Sequence, residues 1–102
     1  LLRGVGPSLA AFGVNDAVAD PIMTLFNDDA VLATNAQWHE NANAAEITSS
    51  SRGLGAFALE ENSRDAALLL TLAPGVYTVH LSSATASSGT GLLEIYTIPV
   101  IP

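Results

Sequence analysis

Oxygen-bearing side chains grouped at one turn are the residues of this 102-residue sequence best suited to chemistry. Asn27, Asp28 and Asp29 stand between two apolar runs, where their carboxylate and amide oxygens could bind a cation. Ca²⁺ takes about six to eight oxygen ligands and commonly finds them in loops of this kind. Asn and Asp also form turns without any ligand. The sequence therefore favours a plain turn and no cofactor, with a calcium site at these three residues as the alternative.

Serine, histidine and paired carboxylates are all present, but their spacing does not predict a hydrolase. His39 lies in an irregular stretch, and His80 falls on the polar side of an alternating run. Ser49–Ser51 lack the G-x-S-x-G pattern that exposes a nucleophile at a sharp turn. Glu60 and Glu61 are adjacent in a turn, where both would be solvated. We therefore expect that the protein is not an enzyme and has no catalytic residues.

The opening stretch LLRGVGPSL contains two glycines that could suggest a phosphate-binding loop. A dinucleotide loop needs G-x-G-x-x-G between a strand and a helix, so that backbone N–H groups meet the phosphate. Here Pro7 removes one donor and Leu9 stands where the third glycine belongs. The stretch is better explained as a strand, with Gly4 and Gly6 at its end and turn.

The charge balance excludes two classes of partner. Ten Asp and Glu face three Arg and no Lys, which gives a net charge of -7. Nucleic acids and anionic membrane surfaces both require clustered cationic side chains. No apolar run is long enough to span a bilayer, so membrane insertion is not expected. There is no cysteine, and the first residue is not Met, so we expect a processed subunit or a module of something longer.

Short apolar runs separated by turn residues favour an all-β fold. The runs are 1–5, 21–26, 30–34, 56–59, 66–72, 76–82 and 92–98. Within 76–82, Tyr77, Val79 and Leu81 alternate with polar residues, and in the last run Leu93 and Ile95 should face inward while Glu94 faces outward. These patterns predict a single module over 1–102, an antiparallel β-sandwich of about seven to eight short strands.

One long connection interrupts the strand pattern at 35–53. Its centre, 41–48, has the composition of one or two helical turns, with Asn41 as an N-cap. Trp38 is its largest apolar residue. We expect a part-helical connection that lies over one end of the sandwich and is anchored by Trp38.

Several segments resemble the pre-peptidase C-terminal (PPC) domains of bacteria. The segments are DAALLLTLAPGVYTVHLSS, GTGLLEIYTI, the hairpin DPIMTLFNDDAVLATN and the opening LLRGVGPSLAAFGV. The whole chain is also similar to a module that recurs in large bacterial surface proteins. The resemblance implies a jelly-roll-like β-sandwich that is secreted, extracellular and non-catalytic. It further implies that some relatives bind calcium or polymers such as collagen or polysaccharide.

The function that these features favour is a structural module at the cell surface. It would be a repeat of a surface protein or a subunit of an extracellular filament, so its partners are further copies or neighbouring modules. The apolar ends of the chain would form the contacts, through Leu1 and Leu2 at one end and Ile98, Val100 and Ile101 in the tail 98–102. Pro99 and Pro102 would restrict the tail to an edge or linker. The alternative is that the tail packs on its own module.

A second function is a calcium-assisted module that binds a carbohydrate or protein polymer. Such a module needs exposed aromatic rings on which a polymer can stack. Trp38 and Tyr96 are the candidates, because the alternation around Tyr77 assigns that ring to the core.

Overall fold

The computed structural model describes residues 1–85 and 88–98. Over these residues the chain forms mainly two antiparallel sheets of three strands each. In chain order the strands are β1 (Leu2–Val5), β2 (Pro21–Asn27), β3 (Ala30–Asn35), β4 (Ala66–Leu68), β5 (Thr78–Ser83) and β6 (Leu92–Ile95). The same residues contain one α-helix, α1 (Ala44–Gly53), and 3₁₀ turns at Pro7–Phe12 and Trp38–Glu40. Sheet A has the order β4-β1-β6 and sheet B the order β3-β2-β5. The predicted all-β character is confirmed.

The facing surfaces of the two sheets share one apolar layer, the inner core. Its members are Leu2, Ala66, Leu68 and Leu93 from sheet A, Met23, Leu25, Ala33, Val79 and Leu81 from sheet B, and Tyr77 just before β5. The predicted inward face of the alternating run, Tyr77, Val79 and Leu81, is therefore confirmed. Each fully buried aliphatic side chain contributes about 2 kcal/mol, so this layer is the main force that holds the sheets together.

Sheet A is covered on its other face as well. There Leu1 and Ala67 pack with Trp38 and Ile47. Partly buried residues complete this outer cluster, namely Ala44, Leu54, Leu59, Leu69 and Tyr96. Because β1 lies between two strands and between two apolar layers, all four of its residues are buried.

No helix in the described ranges is long and apolar enough to cross a membrane.

The predicted hairpin forms the centre of sheet B. β2 and β3 pair in antiparallel register, and the pairing shifts between Leu25 and Phe26. Asp28 takes a φ of 53° at the tip, the left-handed conformation that Asp tolerates better than most residues. On β2, the buried residues Met23 and Leu25 alternate with half-buried ones, which is the pattern of a strand with one face on a core.

The number and length of the strands differ from the prediction. The described residues contain six strands rather than seven or eight. The run 56–59 is not a strand, because Phe57 lies over the Arg3 side chain and Leu59 packs in the outer cluster. The run 66–72 pairs only over β4. The composition of this run shows that its residues are apolar, but it does not show which of them lie beside a neighbouring strand.

The inward and outward assignment in β6 holds for Leu93 but not for Ile95 and Glu94. Ile95, expected inside, is 65% exposed because β6 is an edge strand of sheet A. Glu94, expected outside, has a side chain only 16% exposed because it pairs with the buried Arg3. Leu93 does pack on the inner core as expected.

The connection 35–53 is part-helical, as predicted, but the helix is placed later along the chain. α1 begins after Asn43, and Asn41 instead ends the 3₁₀ turn that starts at Trp38. The Asn41 side chain donates to the carbonyls of Trp38 and Ala67, at 3.0 and 2.9 Å. Asn41 therefore ties the connection to β4 instead of capping the helix.

The two glycines of the opening stretch are explained by close packing. Gly4 lies in the middle of β1, where an added Cβ would come within 2.7 Å of Leu81 Cδ1 on sheet B. At Gly6 an added Cβ would come within 2.2 Å of the Val18 carbonyl oxygen. Gly6 therefore leaves no room for a side chain at the turn after β1, whereas at Gly4 a side chain would require the Leu81 side chain to shift.

Candidate functional site

A large open feature of the described residues is an apolar groove at one end of sheet A, with a volume of about 570 Å³. Two chain segments form its walls, 68–72 after β4 and 95–98 at the end of β6. Leu1 and Leu2 also line it, and Asn43, Glu46 and Ser50 flank it from the helix side. We call this feature the end groove.

The register of sheet A explains how the groove arises. Leu2 lies between Leu68 on one side and Ile95 on the other. The pairing continues one residue further, since Tyr96 N donates to Leu1 O at 2.8 Å and Leu1 N donates to Tyr96 O at 2.9 Å. The segments 69–72 and 97–98 line the groove at the same end of sheet A as Leu1. The end groove therefore lies at this end of the sheet.

The walls of the groove combine exposed apolar side chains with unpaired backbone. Leu70, Leu72, Ile95 and Ile98 are 41%, 40%, 65% and 40% exposed. Within the described ranges, the backbone groups of 70–72 and of 97–98 form no hydrogen bonds with other residues. Exposed apolar side chains and free N–H and C=O groups are together what an added strand needs. The groove can therefore accept an extended apolar segment.

Three of the five residues predicted to form contacts between copies lie at the end groove. Leu1 and Leu2 are 7% and 9% exposed, and Ile98 is on a wall. Val100 and Ile101 lie outside the described residues. Sequence reasoning named both ends of the chain, and the fold places Leu1, Leu2 and Ile98 at one end of one sheet.

The aromatic residues predicted to bind a ligand, Trp38 and Tyr96, both pack in the outer cluster. Trp38 is 8% exposed, and its Nε1 donates to Glu60 O and Ser63 Oγ, both at 3.2 Å. Tyr96 is half-buried and packs on the same cluster. Trp38 is thus largely buried, and it lines a small pocket of about 120 Å³ beside Ile47 and Leu59.

The predicted calcium ligands Asn27, Asp28 and Asp29 are exposed at the hairpin tip. In the part of the chain that the structure describes, no group of three or more His, Cys, Asp or Glu residues is placed to hold a metal ion. The tip thus supplies two carboxylates and one amide, and any further oxygens would have to come from backbone and water.

The two histidines contact aromatic rings. The His80 ring lies 4.8 Å from the Phe26 ring on the outer face of sheet B, and the His39 ring meets the Trp38 ring edge-on at 6.2 Å. No hydrogen bond joins either histidine to a serine hydroxyl over residues 1–85 and 88–98.

A buried carboxylate that sequence reasoning did not single out organises the region next to the outer cluster. Asp65 is fully buried and accepts from Gly6 N at 2.7 Å and from Ser8 N at 3.2 Å. It also accepts hydrogen bonds from the hydroxyls of Ser8 and Ser63. Its own carbonyl accepts from Trp38 N at 2.8 Å. The only sequence signal was an acidic residue directly before an apolar run.

A buried arginine is the second polar residue that the sequence did not reveal. Arg3 lies in β1 with no exposed surface, its Nε 3.0 Å from Glu94 Oε1 and its guanidinium carbon 4.5 Å from the centre of the Phe57 ring. The Arg3–Glu94 contact has ion-pair distance without hydrogen-bond geometry. Arg3 Nη1 and Nη2 find no hydrogen-bond partner among the described residues. This pair balances charge inside the sheet.

Two groups beside the end groove titrate unusually. The Tyr96 hydroxyl donates to Glu94 Oε2 at 2.8 Å, and this hydrogen bond, with burial and the Glu94 charge, raises the pKa of Tyr96 although Arg3 opposes it. Burial lowers the pKa of the Leu1 amine. The first shift therefore arises mainly from the Tyr96–Glu94 hydrogen bond, and the second from burial of the amine.

Searches of known protein families, curated proteins and solved structures find no match to this chain. Its function is therefore argued from the residues and surfaces described above.

Proposed function

We propose that the protein is a non-enzymatic structural module of an extracellular bacterial protein, and that it joins neighbouring copies or modules through the end groove. The single observation that carries this proposal is the groove itself. Four exposed apolar side chains and two stretches of unpaired backbone meet there, at the open end of a sheet that is covered on both faces. Exposed apolar side chains beside unpaired backbone groups are a site for pairing with another chain.

The composition supports a role outside nucleic acid and membrane binding. With three Arg and no Lys against ten acidic residues, the surface lacks the cationic patches that phosphate-bearing partners require. An apolar contact that adds a strand does not depend on such patches, because main-chain hydrogen bonds supply much of its affinity.

The finer fold assignment is part of the same proposal. We infer a jelly-roll-like sandwich of the PPC type, secreted to the cell surface, from the segments that resemble that family. Two of those segments supply the β2–β3 hairpin and the β4 and β5 strands. This arrangement is compatible with a sandwich, and the location outside the cell rests on the resemblance.

The test is the molar mass of the chain by light scattering across a concentration series. We expect a mass above that of the 10.5 kDa monomer that rises with concentration. A Leu70→Gln/Leu72→Gln variant, changed on one wall of the groove, should remain monomeric. A matched control, Val31→Gln/Val76→Gln, changes two apolar residues that are 60% and 82% exposed outside the groove and should associate like the parent chain. A parent chain that is monomeric throughout would contradict the proposal.

A further inference from the structure

A small pocket lies between the last turns of α1 and the segment 56–59, and we call it the helix pocket. Its volume is about 120 Å³. An apolar cavity of about 150 Å³ is large enough to take up benzene. The apolar part of the wall consists of Trp38, Ile47, Ala56, Ala58 and Leu59. No residue lines both this pocket and the end groove, so the two are separate features.

Backbone hydrogen bonds hold the helix pocket in shape. Ala56 N donates to Ser51 O at 2.9 Å, so the chain turns back against the helix as soon as α1 ends. Gly55 takes a φ of 75° in this turn, the left-handed conformation that glycine adopts without strain. On the other side, Ile47 and Leu59 pack in the outer cluster. The walls are therefore ordered without a ligand, and binding does not have to organise them.

One polar side chain of the wall lacks a hydrogen-bond partner. Ser51 is 5% exposed, and its Oγ is buried without a partner among the described residues. The hydroxyls of Thr48 and Ser49, by contrast, donate to carbonyls one turn back along the helix. Trp38 Nε1 already donates to two oxygens. A buried hydroxyl without a partner is costly, so a ligand that supplies one gains affinity.

Water is a poor occupant of a pocket with these walls. A volume of about 120 Å³ holds roughly four water molecules at about 30 Å³ each, and each of them needs two to four polar partners. The side chains of the wall offer the unpartnered Ser51 hydroxyl and, at the exposed rim, Arg52. Water that is held loosely is displaced favourably by an apolar group.

The charges around the pocket favour a neutral ligand. No Asp or Glu lines it, so an ammonium group would find no counter-ion there. Arg52 is exposed, and water screens any ion pair that it forms with an anion. The negative end of the α1 dipole and the net charge of -7 also disfavour an anion.

We propose that the helix pocket binds a small neutral molecule that consists of one apolar ring and one hydroxyl group. The ring lies against Trp38 and Leu59, where an aromatic ring also gains from contact with the indole. The hydroxyl forms a hydrogen bond with Ser51 Oγ and satisfies it. This site is a second binding function, and it does not depend on the end groove.

Phenol and toluene are suitable probes, because they share one ring and only phenol carries a hydroxyl. Trp38 is the only tryptophan of the chain, so its fluorescence reports on the pocket wall, and calorimetric titration gives the Kd. We expect phenol to bind with a Kd of about 1 mM or tighter. Ser51→Ala should weaken phenol binding by about fivefold, the effect of one neutral hydrogen bond, and should not weaken toluene binding.

A variant that fills the pocket locates the ligand. Ala56→Leu places a branched side chain in the wall and should abolish binding of both probes. Ala45→Leu changes an exposed residue of α1 outside the pocket and should bind like the parent chain. Circular dichroism compares the fold of both variants, and Ser51→Ala remains the test if Ala56→Leu does not fold.

Four results would overturn the inference, and none of them bears on the proposed function of the end groove. The first is that neither probe binds the parent chain. The second is that benzoate, the charged counterpart, binds more tightly than phenol. The third is that Ser51→Ala leaves the ratio of phenol to toluene affinity unchanged. The fourth is that a folded Ala56→Leu variant still binds phenol as the parent chain does.

Discussion

The backbone N–H of Gly6 donates to the buried carboxylate of Asp65 at 2.7 Å, and this bond fixes the end of β1 against the start of β4. Ser8 adds its own N–H and hydroxyl to the same carboxylate, so the turn after β1 is held at three points. Trp38 N in turn binds the Asp65 carbonyl at 2.8 Å. One residue thereby connects the turn after β1, the long connection and the start of β4.

Replacement of Asp65 by Asn tests this connection. The change replaces a buried carboxylate, which accepts four hydrogen bonds, with a neutral amide. We expect the free energy of unfolding to fall by about 2–3 kcal/mol. Urea unfolding followed by circular dichroism measures it. Asp20→Asn is the control, because its ion pair with Arg64 at 3.4 Å involves a side chain that is 62% exposed, and it should cost less than about 1 kcal/mol. Equal effects at both positions would contradict the role assigned to Asp65.

The buried pair Arg3–Glu94 should behave asymmetrically. Glu94→Gln leaves the Arg3 charge buried without a counter-ion, and we expect a loss of about 3 kcal/mol in the free energy of unfolding. Arg3→Met combined with Glu94→Gln removes both charges and should recover most of that loss, because the cost of desolvating the ions disappears as well. A double-mutant cycle in urea measures the coupling between them. Additive effects would mean that the pair does not interact.

Gly6 should tolerate no side chain. An added Cβ would lie 2.2 Å from the Val18 carbonyl oxygen, and backbone cannot move aside as a flexible side chain can, so Gly6→Ala should lower the free energy of unfolding by about 2–4 kcal/mol. Gly53→Ala at the end of α1 meets no atom within 4 Å and should be neutral or stabilising by up to about 1 kcal/mol. Thermal melts of the two variants compare them directly. A harmless Gly6→Ala would disprove the close approach.

The Tyr96–Glu94 hydrogen bond predicts a dependence on alkaline pH. The pKa of Tyr96 is raised above its ordinary 10.0, so the protonated hydroxyl is favoured in the folded state. The stability that it provides is complete below pH 10.0 and is lost as the pH rises through the folded-state pKa. Titration of phenolate absorbance in a Tyr77→Phe background isolates Tyr96, since the chain has two tyrosines. Glu94→Gln should move the Tyr96 titration to lower pH, and an unchanged curve would contradict this assignment.

Calcium binding at the hairpin tip remains a prediction. If Asn27, Asp28 and Asp29 bind Ca²⁺, millimolar calcium should raise the Tm relative to a chelator, because a ligand of the folded state stabilises it. Asp28→Asn/Asp29→Asn removes both charges and should abolish the increase. Asn is chosen because it also tolerates the φ of 53° at Asp28. A parent melt that is identical with calcium and with chelator would remove the site from consideration.

Much of sheet B could be predicted from local sequence. The hairpin tip has the residues that accept a left-handed turn, and the alternation around Val79 identifies the face that meets the inner core. Both features depend on neighbours close in sequence, so periodicity and turn chemistry were sufficient.

Sheet A depended on long-range pairing. The run 66–72 is apolar throughout, yet only β4 pairs with β1, and Leu70 and Leu72 remain exposed. Glu94 looked like a surface residue until β6 was placed beside Arg3. Hydropathy gives each residue one value, whereas burial depends on which strands and layers the fold places next to it.

The candidate site, too, was predictable from the sequence only in part. By itself, the sequence determined an acidic, all-β chain with apolar ends, because composition and periodicity require no knowledge of distant contacts. Only the tertiary structure decided that Leu1, Leu2 and Ile98 meet at one groove, and that Trp38, Arg3 and Asp65 are buried. Each of those facts arises from residues far apart in the chain, whose proximity is set by strand register and sheet packing rather than by any local pattern.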